Sequence, residues 1–192
     1  VITIPNEADV TGIDINLLRS CKAAGIKLVL EDGQPYYVGE LSSRYGIDKK
    51  VLTVYINCDD DYLDDILKEV DLSGINTIKV ITEHDKELHA IDYGYIRKHK
   101  IPNVDLSLSN VGKTLGFYFN SDGSNPDYEW LKYIKLPEGL RTIGEVAFKN
   151  CQGLKSVYLP NTLKTIAKGA FNQNFKLKDL VLPESVDTIE SY

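Results

Sequence analysis

The sequence predicts an α/β solenoid, with parallel strands along a concave face and helices and short turns on the convex face. Three observations predict it. The stretch LPEGLRTIGEVAFKNC (136–151) returns as LPNTLKTIAKGAFNQN (159–174) and begins again as LPESVDTIES (182–191). Apolar strand-like segments recur every 26 residues through the first half of the chain, and helix-like stretches lie between them. Each such unit carries an apolar face that it cannot bury alone, so the copies must stack.

The C-terminal copies align without gaps at a period of 23. Leu131, Leu154 and Leu177 correspond, as do Ile134, Val157 and Leu180, and Leu136, Leu159 and Leu182. Leu140, Leu163 and Val186 follow, then Ile143, Ile166 and Ile189. The L-x-x-I-x-L core is a leucine-rich-repeat signature: alternation turns two apolar side chains of a short strand inward and leaves the residue between them outside. The pairs Ala147-Phe148 and Ala170-Phe171 are expected in the core, stacked at equivalent corners.

The earlier period emerges when the chain is laid over itself. GIDINLLRSCKAAGIKLVL (12–30) matches AIDYGYIRKHKIPNVDLSL (90–108) at an offset of 78, three times 26. Leu28, Val54, Val80 and Leu106 step through it, and Ile2 begins the series. Between them Val10, Tyr36, Tyr62 and Leu88 recur, as do Ile15, Leu41, Leu67 and Tyr93. DDDYLDDILKEVDLSG is the clearest helix, with Leu63, Ile66, Leu67 and Val70 on one face and aspartates where the helix dipole favours them. Gly25 and Gly74 sit where helices should stop. The weak copy is 31–50, where Arg44 and Lys49 break the pattern.

The segment 110–130, NVGKTLGFYFNSDGSNPDYEW, stretches the spacing between Leu106 and Leu136 to 30. Its Gly, Ser, Asn and Pro read as an inserted loop with room for a short hairpin through Leu115 to Phe119. The organisation expected is therefore helix-containing repeats over 1–109, the inserted loop over 110–130, and 23-residue repeats over 131–192. Roughly eight parallel strands would form the inner wall. A separate small α/β domain over 1–50 is the competing reading. The third copy stops at Tyr192, before its Ala-Phe pair, and Leu182, Val186 and Ile189 keep the core pattern to that point. The expectation is that this end is covered by further repeats, a partner or a second copy.

Composition bounds the function. A content of 43% apolar and 26% charged residues fits a folded soluble chain, and no apolar run reaches the ~20 residues that span a bilayer. A net charge of -6 argues against nucleic acid, which wants a basic face. The chain has no Met and opens on Val1, as a processed or trimmed piece would, so a missing targeting signal says nothing about location. Cys21, Cys58 and Cys151 are odd in number and far apart, and read as buried thiols. VGKT (111–114) lacks the first Gly of a phosphate loop, that place being Ser107, and no helix pattern follows it. His84 and His89 are five apart, off the i, i+4 pairing of zinc-binding helices. CDDDYLDD and NSDGSNPDYE do not fit a calcium loop: counted from Asn120, position six is Asn125 and position twelve is Leu131. No catalytic residue, metal or cofactor is expected.

The pattern Leu136-Pro137, Ile143, Ala147-Phe148, Asn150-Cys151 and Leu154 resembles the BspA-like leucine-rich repeat family. The second copy departs from it with Ala167 for Gly144 and Asn174 for Cys151. The segment 75–111, with DLS at 105–107 after a helix, is similar to the unit that commonly precedes these repeats in surface proteins of gut anaerobes. The resemblance covers about residues 51–192. It implies a secreted or cell-surface protein that binds macromolecules, and it brings no catalytic residues.

The remaining candidate is the outward strand face. One row carries Lys27, Thr53, Lys79, Asp105, Lys135, Tyr158 and Val181; its neighbour carries Thr77, Asn103, Tyr133, Ser156 and Asp179. Adjacent strands lie ~4.8 Å apart, so Lys79, Asp105, Tyr133, Lys135, Ser156 and Tyr158 form the candidate ligand site. Tyr with mixed polar groups suits a binding surface, although Tyr also favours a merely solvated strand. The function expected is a non-enzymatic protein- or glycan-binding, adhesive module, its partner a host or neighbouring-cell protein or glycan on the concave face. A structural spacer is the alternative.

Overall fold

A computed structural model describes residues 1–4, 21, 24–26, 28–30, 45–56, 61–83, 86–119, 129–178 and 180–191. The chain divides into two compact units, Val1–Arg44 and Tyr45–Tyr192. In the first, β1 (Ile2–Ile4) pairs in parallel with β2 (Leu28–Leu30), Ile2 opposite Leu28. The 26-residue step therefore holds there.

The second unit is a repeat fold with parallel strands. Alternating apolar residues give it two-faced strands. In β4 (Val51–Ile56), β5 (Thr77–Thr82), β6 (Asn103–Leu108), β8 (Tyr133–Lys135) and β10 (Ser156–Tyr158), the inward positions are Leu52, Val54, Ile78, Val80, Val104, Leu106, Ile134 and Val157, all buried. These strands join side by side in parallel, in the order β10-β8-β6-β5-β4. Leu52 faces Ile78 and Ile78 faces Val104, the expected 26-residue step, until a one-residue slip after Lys79 puts Ile81 opposite Leu108. Asp105 faces Lys135 and Lys135 faces Tyr158, which carries the 30- and 23-residue steps into the same ladder.

Three expectations about the strands need correction. The edge of β4 that the 26-residue step reserves for a parallel strand is held by β3 (Tyr45–Asp48), which pairs with it antiparallel, Tyr45 opposite Val54. The reason is local: Lys49, with φ at 57°, turns the chain back between Asp48 and Val51, at the point where the 26-residue pattern breaks. Second, Leu115–Phe119 is not a hairpin. β7 (Thr114–Leu115) pairs in parallel with β9 (Thr142–Ile143), which pairs with β11 (Thr165–Ile166) and then β12 (Thr188–Ile189). The run Lys113-Thr114-Leu115-Gly116 is thus the counterpart of Arg141-Thr142-Ile143-Gly144. A supposed loop supplies the first rung of a second, four-stranded ladder. Third, no strand forms at Leu180 and Val181; Val181 is 80% exposed.

Helix α1 (Leu63–Leu67) is shorter than the sequence suggests and buries Leu63 and Leu67; α2 (Ala90–His99) ends at Lys100 in the left-handed region. The two are tied by one buried carboxylate. Asp92 Oδ1 accepts the Leu63 N–H at 2.9 Å and Oδ2 accepts the His89 N–H at 2.9 Å, satisfying donors that a helix start leaves orphaned.

The Ala-Phe corners stack as expected, three of their four residues in the core and Phe171 half-buried against it. Ala147, Phe148 and Ala170 are buried, and the rings of Phe148 and Phe171 stack at 5.3 Å with 1° between their planes. Phe119 continues the column on the other side, 5.4 Å from Phe148 and 11° off parallel. The corners also repeat their backbone: Val146 and Gly169 take φ of 52° and 63°, and Asn150 and Gln173 take 63° and 62°. Hydroxyls repeat one coil apart too. Thr162 Oγ donates to the Leu140 carbonyl (2.9 Å) and Ser185 Oγ to that of Leu163 (2.7 Å).

Of the cysteines, Cys151 is buried and Cys21 half-buried, against the expectation of a buried thiol there; Cys58 lies outside the described residues. Cys151 Sγ donates to the Phe119 carbonyl at 3.2 Å, and burial pushes its pKa up to about 12. An acid held neutral in the fold contributes stability in full below its ordinary pKa, near 9, and that contribution is lost as pH rises through the folded value. Iodoacetamide at pH 8 should therefore leave Cys151 unmodified until denaturant is added, as peptide mass spectrometry would show. Alkylation of native protein at the rate of a free thiol would contradict this burial.

Candidate functional site on the outward sheet face

The pleat that buries Ile134 and Val157 puts their neighbours outside, so the binding candidates follow from core packing. Tyr133 and Lys135 flank Ile134 on β8, and Ser156 and Tyr158 flank Val157 on β10. All six candidates named from the sequence fall on one face, in two registered rows. Lys79, Asp105, Lys135 and Tyr158 lie opposite one another across four strands, as do Thr77, Asn103, Tyr133 and Ser156. Lys27 and Asp179 lie outside the described residues, and the rows end at β10 because Val181 is in no strand.

Between the rows is a shallow hollow of about 270 Å³, with Asn103, Asp105, Tyr133, Lys135, Ser156 and Tyr158 among its walls and Val104 and Ile134 contributing too. Thr77 and Asn103, which the sequence places in the second row but outside the six, also line it. The two phenol rings stand out of the sheet, Tyr133 at 48% and Tyr158 at 55% exposure. At the next outward positions, Tyr55 and Ile81 are buried, so the open face is two rows deep at β4 and β5.

The polar rim is partly locked in place. Asp105 Oδ1 accepts the Ser107 N–H at 2.9 Å and the Ser107 hydroxyl at 2.6 Å, while Oδ2 lies 3.8 Å from Lys79 Nζ. The hydroxyl bond is the physical content of the DLS motif. Asn103 Nδ2 donates to Thr77 Oγ1 at 3.2 Å, and that hydroxyl donates to Asn76 Oδ1 at 2.9 Å. Lys135 Nζ sits over the Tyr158 ring, 5.2 Å from its centroid, a cation on the negative face of an aromatic quadrupole.

Elsewhere the chemistry is sparse. Among the described residues no group of three or more His, Cys, Asp or Glu could hold a metal ion. Among them, too, no helix is long and apolar enough to cross a membrane. The VGKT stretch supplies Thr114 to β7, so a strand stands where a phosphate loop would need a helix start. His89 precedes α2 and meets Tyr62 edge to face at 5.6 Å; His84, residues 57–60 and residues 120–128 lie outside the described residues.

Residues 127–192 match the family described as BspA type Leucine rich repeat region, in 6 copies. Among solved structures, the chain is similar to a leucine rich repeat protein of T. pallidum (TpLRR), with 19% identity and a TM-score of 0.38. That similarity covers 77% of this chain and 50% of the other, so the chain spans half the length of the protein it matches. No curated protein shows significant similarity.

Proposed function

We propose that this chain, whose residues 127–192 are a BspA type leucine-rich repeat region, is a solenoid whose concave sheet face binds a macromolecule. It works as a non-enzymatic, adhesive module of a bacterial cell-surface or secreted protein, and its partner is a protein or glycan of a host or neighbouring cell. Leucine-rich repeats generally mediate protein interactions, and those of this type are typical of surface and secreted proteins.

One observation supports the reading most. Adjacent strands of the sheet each present an exposed tyrosine on the same face, Tyr133 at 48% and Tyr158 at 55% exposure, beside a hollow with polar groups partly fixed on its rim. The fold does not need an aromatic ring there, because the inward residues Ile134 and Val157 carry the packing. Aromatic side chains offer large contact area at low conformational-entropy cost, which is why they concentrate at binding surfaces.

The test uses beads coated with the chain, applied to epithelial cell monolayers and to immobilised extracellular-matrix proteins. The beads should be retained on at least one of these. The Tyr133→Ala/Tyr158→Ala pair should reduce retention at least about tenfold, as loss of a central aromatic anchor does. Both positions are exposed, so the fold should survive, and circular dichroism would verify it. Unchanged retention would leave this face with no binding role and favour a spacer.

A further inference from the structure

The hollow between the two tyrosine-bearing strands has a size and a chemistry that narrow its ligand. We infer that it takes a saccharide carrying a carboxylate, with the sugar ring against Tyr133 and the carboxylate on Lys135. The inference rests on the proposed reading of this face as a binding surface and specifies its ligand.

Size speaks first. The open face is two rows deep at β5, where Ile81 is buried beyond it, and at β8 and β10, where Pro137 and Pro160 are buried. Four strands at ~4.8 Å spacing and about 10 Å of strand make on the order of 200 Å². A globular protein partner typically covers ~800 Å² per side. A hollow of about 270 Å³ accommodates a sugar unit or two instead.

Chemistry then separates a sugar from a peptide. Backbone N–H and C=O groups of a sheet lie in its plane, so a peptide laid across the face finds no main-chain partners. A sugar uses the side chains that are present. The negative face of a phenol ring attracts the C–H bonds of a pyranose. Asn103, Ser156 and Asp105 offer amide, hydroxyl and carboxylate groups to ring hydroxyls. Asn103 and Asp105 are oriented beforehand by Thr77 and Ser107, which limits the ordering cost on binding.

Charge selects the acid. On the outer row Lys79 already faces Asp105, 3.8 Å away. Lys135 is held over a ring and makes no ion pair among the described residues. Among the described residues the row therefore carries one uncompensated positive charge beside the exposed rings, in a chain whose net charge is -6. A carboxylate there gains a charge-assisted hydrogen bond.

Isothermal titration of the whole chain with oligogalacturonate, sialyllactose and hyaluronan oligosaccharides tests this, with fully methyl-esterified oligogalacturonate and lactose as neutral counterparts and an oligoglutamate peptide as the alternative acid. At least one acidic saccharide should bind about tenfold or more tighter than its neutral counterpart, and the difference should shrink as salt is raised. Tyr133→Ala should weaken all saccharide binding by about tenfold. Lys135→Gln should abolish the preference for acid over neutral form while leaving residual neutral binding. Binding of the peptide but of no saccharide, lost in Tyr133→Ala, would overturn the saccharide and leave the binding face standing. Absence of any binding, together with bead retention that ignores Tyr133 and Tyr158, would overturn both.

Discussion

Replacing Phe148 by Ala is expected to destabilise the Tyr45–Tyr192 unit by about 3–5 kcal/mol, the range for truncating a large buried aromatic. Phe148 is fully buried and sits in the middle of a column, with Phe119 at 5.4 Å on one side and Phe171 at 5.3 Å on the other. The cavity cannot collapse easily, because the flanking backbone is bonded across coils: the Phe148 N–H donates to the Ala170 carbonyl at 2.8 Å, and that of Asn150 to Asn172 at 2.9 Å. Both neighbours also lose a stacked partner, so the expected cost sits toward the upper end of the range. Phe148→Leu, which keeps much of the volume, should cost clearly less. Urea unfolding followed by the fluorescence of Trp130, the single Trp and a residue packed on the same core, measures both variants. A cost below about 1 kcal/mol, typical of surface changes, would mean the column carries little.

Asp92→Ala is expected to cost about 3 kcal/mol. The side chain is fully buried and its two oxygens serve two different segments, the Leu63 N–H at the start of α1 and the His89 N–H just before α2. Hydrogen bonds to a charged group contribute about 1.5–3 kcal/mol each, and a donor left buried without an acceptor keeps its desolvation penalty. The carboxylate also lies at the positive end of two helix dipoles. Asp92→Asn retains one acceptor oxygen and should recover part of the loss. Hydrogen exchange distinguishes this from a general loosening: the Leu63 and His89 amides should lose protection first. If Asp92→Ala unfolds at nearly the wild-type urea concentration, with those amides still protected, another group must satisfy them.

Asp92 also shows how a repeat can be read without its meaning. Ile91-Asp92 stands out in the sequence because it echoes Ile13-Asp14, yet nothing in the spacing says that the carboxylate bridges two helix starts. That requires knowing that Leu63 lies beside it, 29 residues away. The candidate site was more legible. Once inward positions are known, outward ones follow by alternation, and a constant step between strands puts Tyr133 beside Ser156 and Lys135 beside Tyr158. The hollow, the lysine over the ring and the locked aspartate depend on side-chain geometry that alternation does not carry.

The sequence by itself determined the parallel pairing of β4, β5 and β6, the 23-residue stacking of β8 with β10, and the stacking of the Ala-Phe corners. Each rests on a pattern repeated at constant spacing, and equivalent residues in stacked copies must occupy equivalent positions. Only the tertiary structure decided the rest. The antiparallel β3 turns on the backbone conformation of Lys49, a choice made over two residues that leaves no periodic trace. The rung at Thr114–Leu115 was hidden because its step to Thr142–Ile143 is 28 residues instead of 23, so a fixed-period search passes over Lys113-Thr114-Leu115-Gly116. Loop closure depends only weakly on length: a coil can lengthen at its surface turn while its strand and its phenylalanine keep their places in the stack. Periodicity in sequence reports equal coil lengths, whereas the fold requires only equal coil ends.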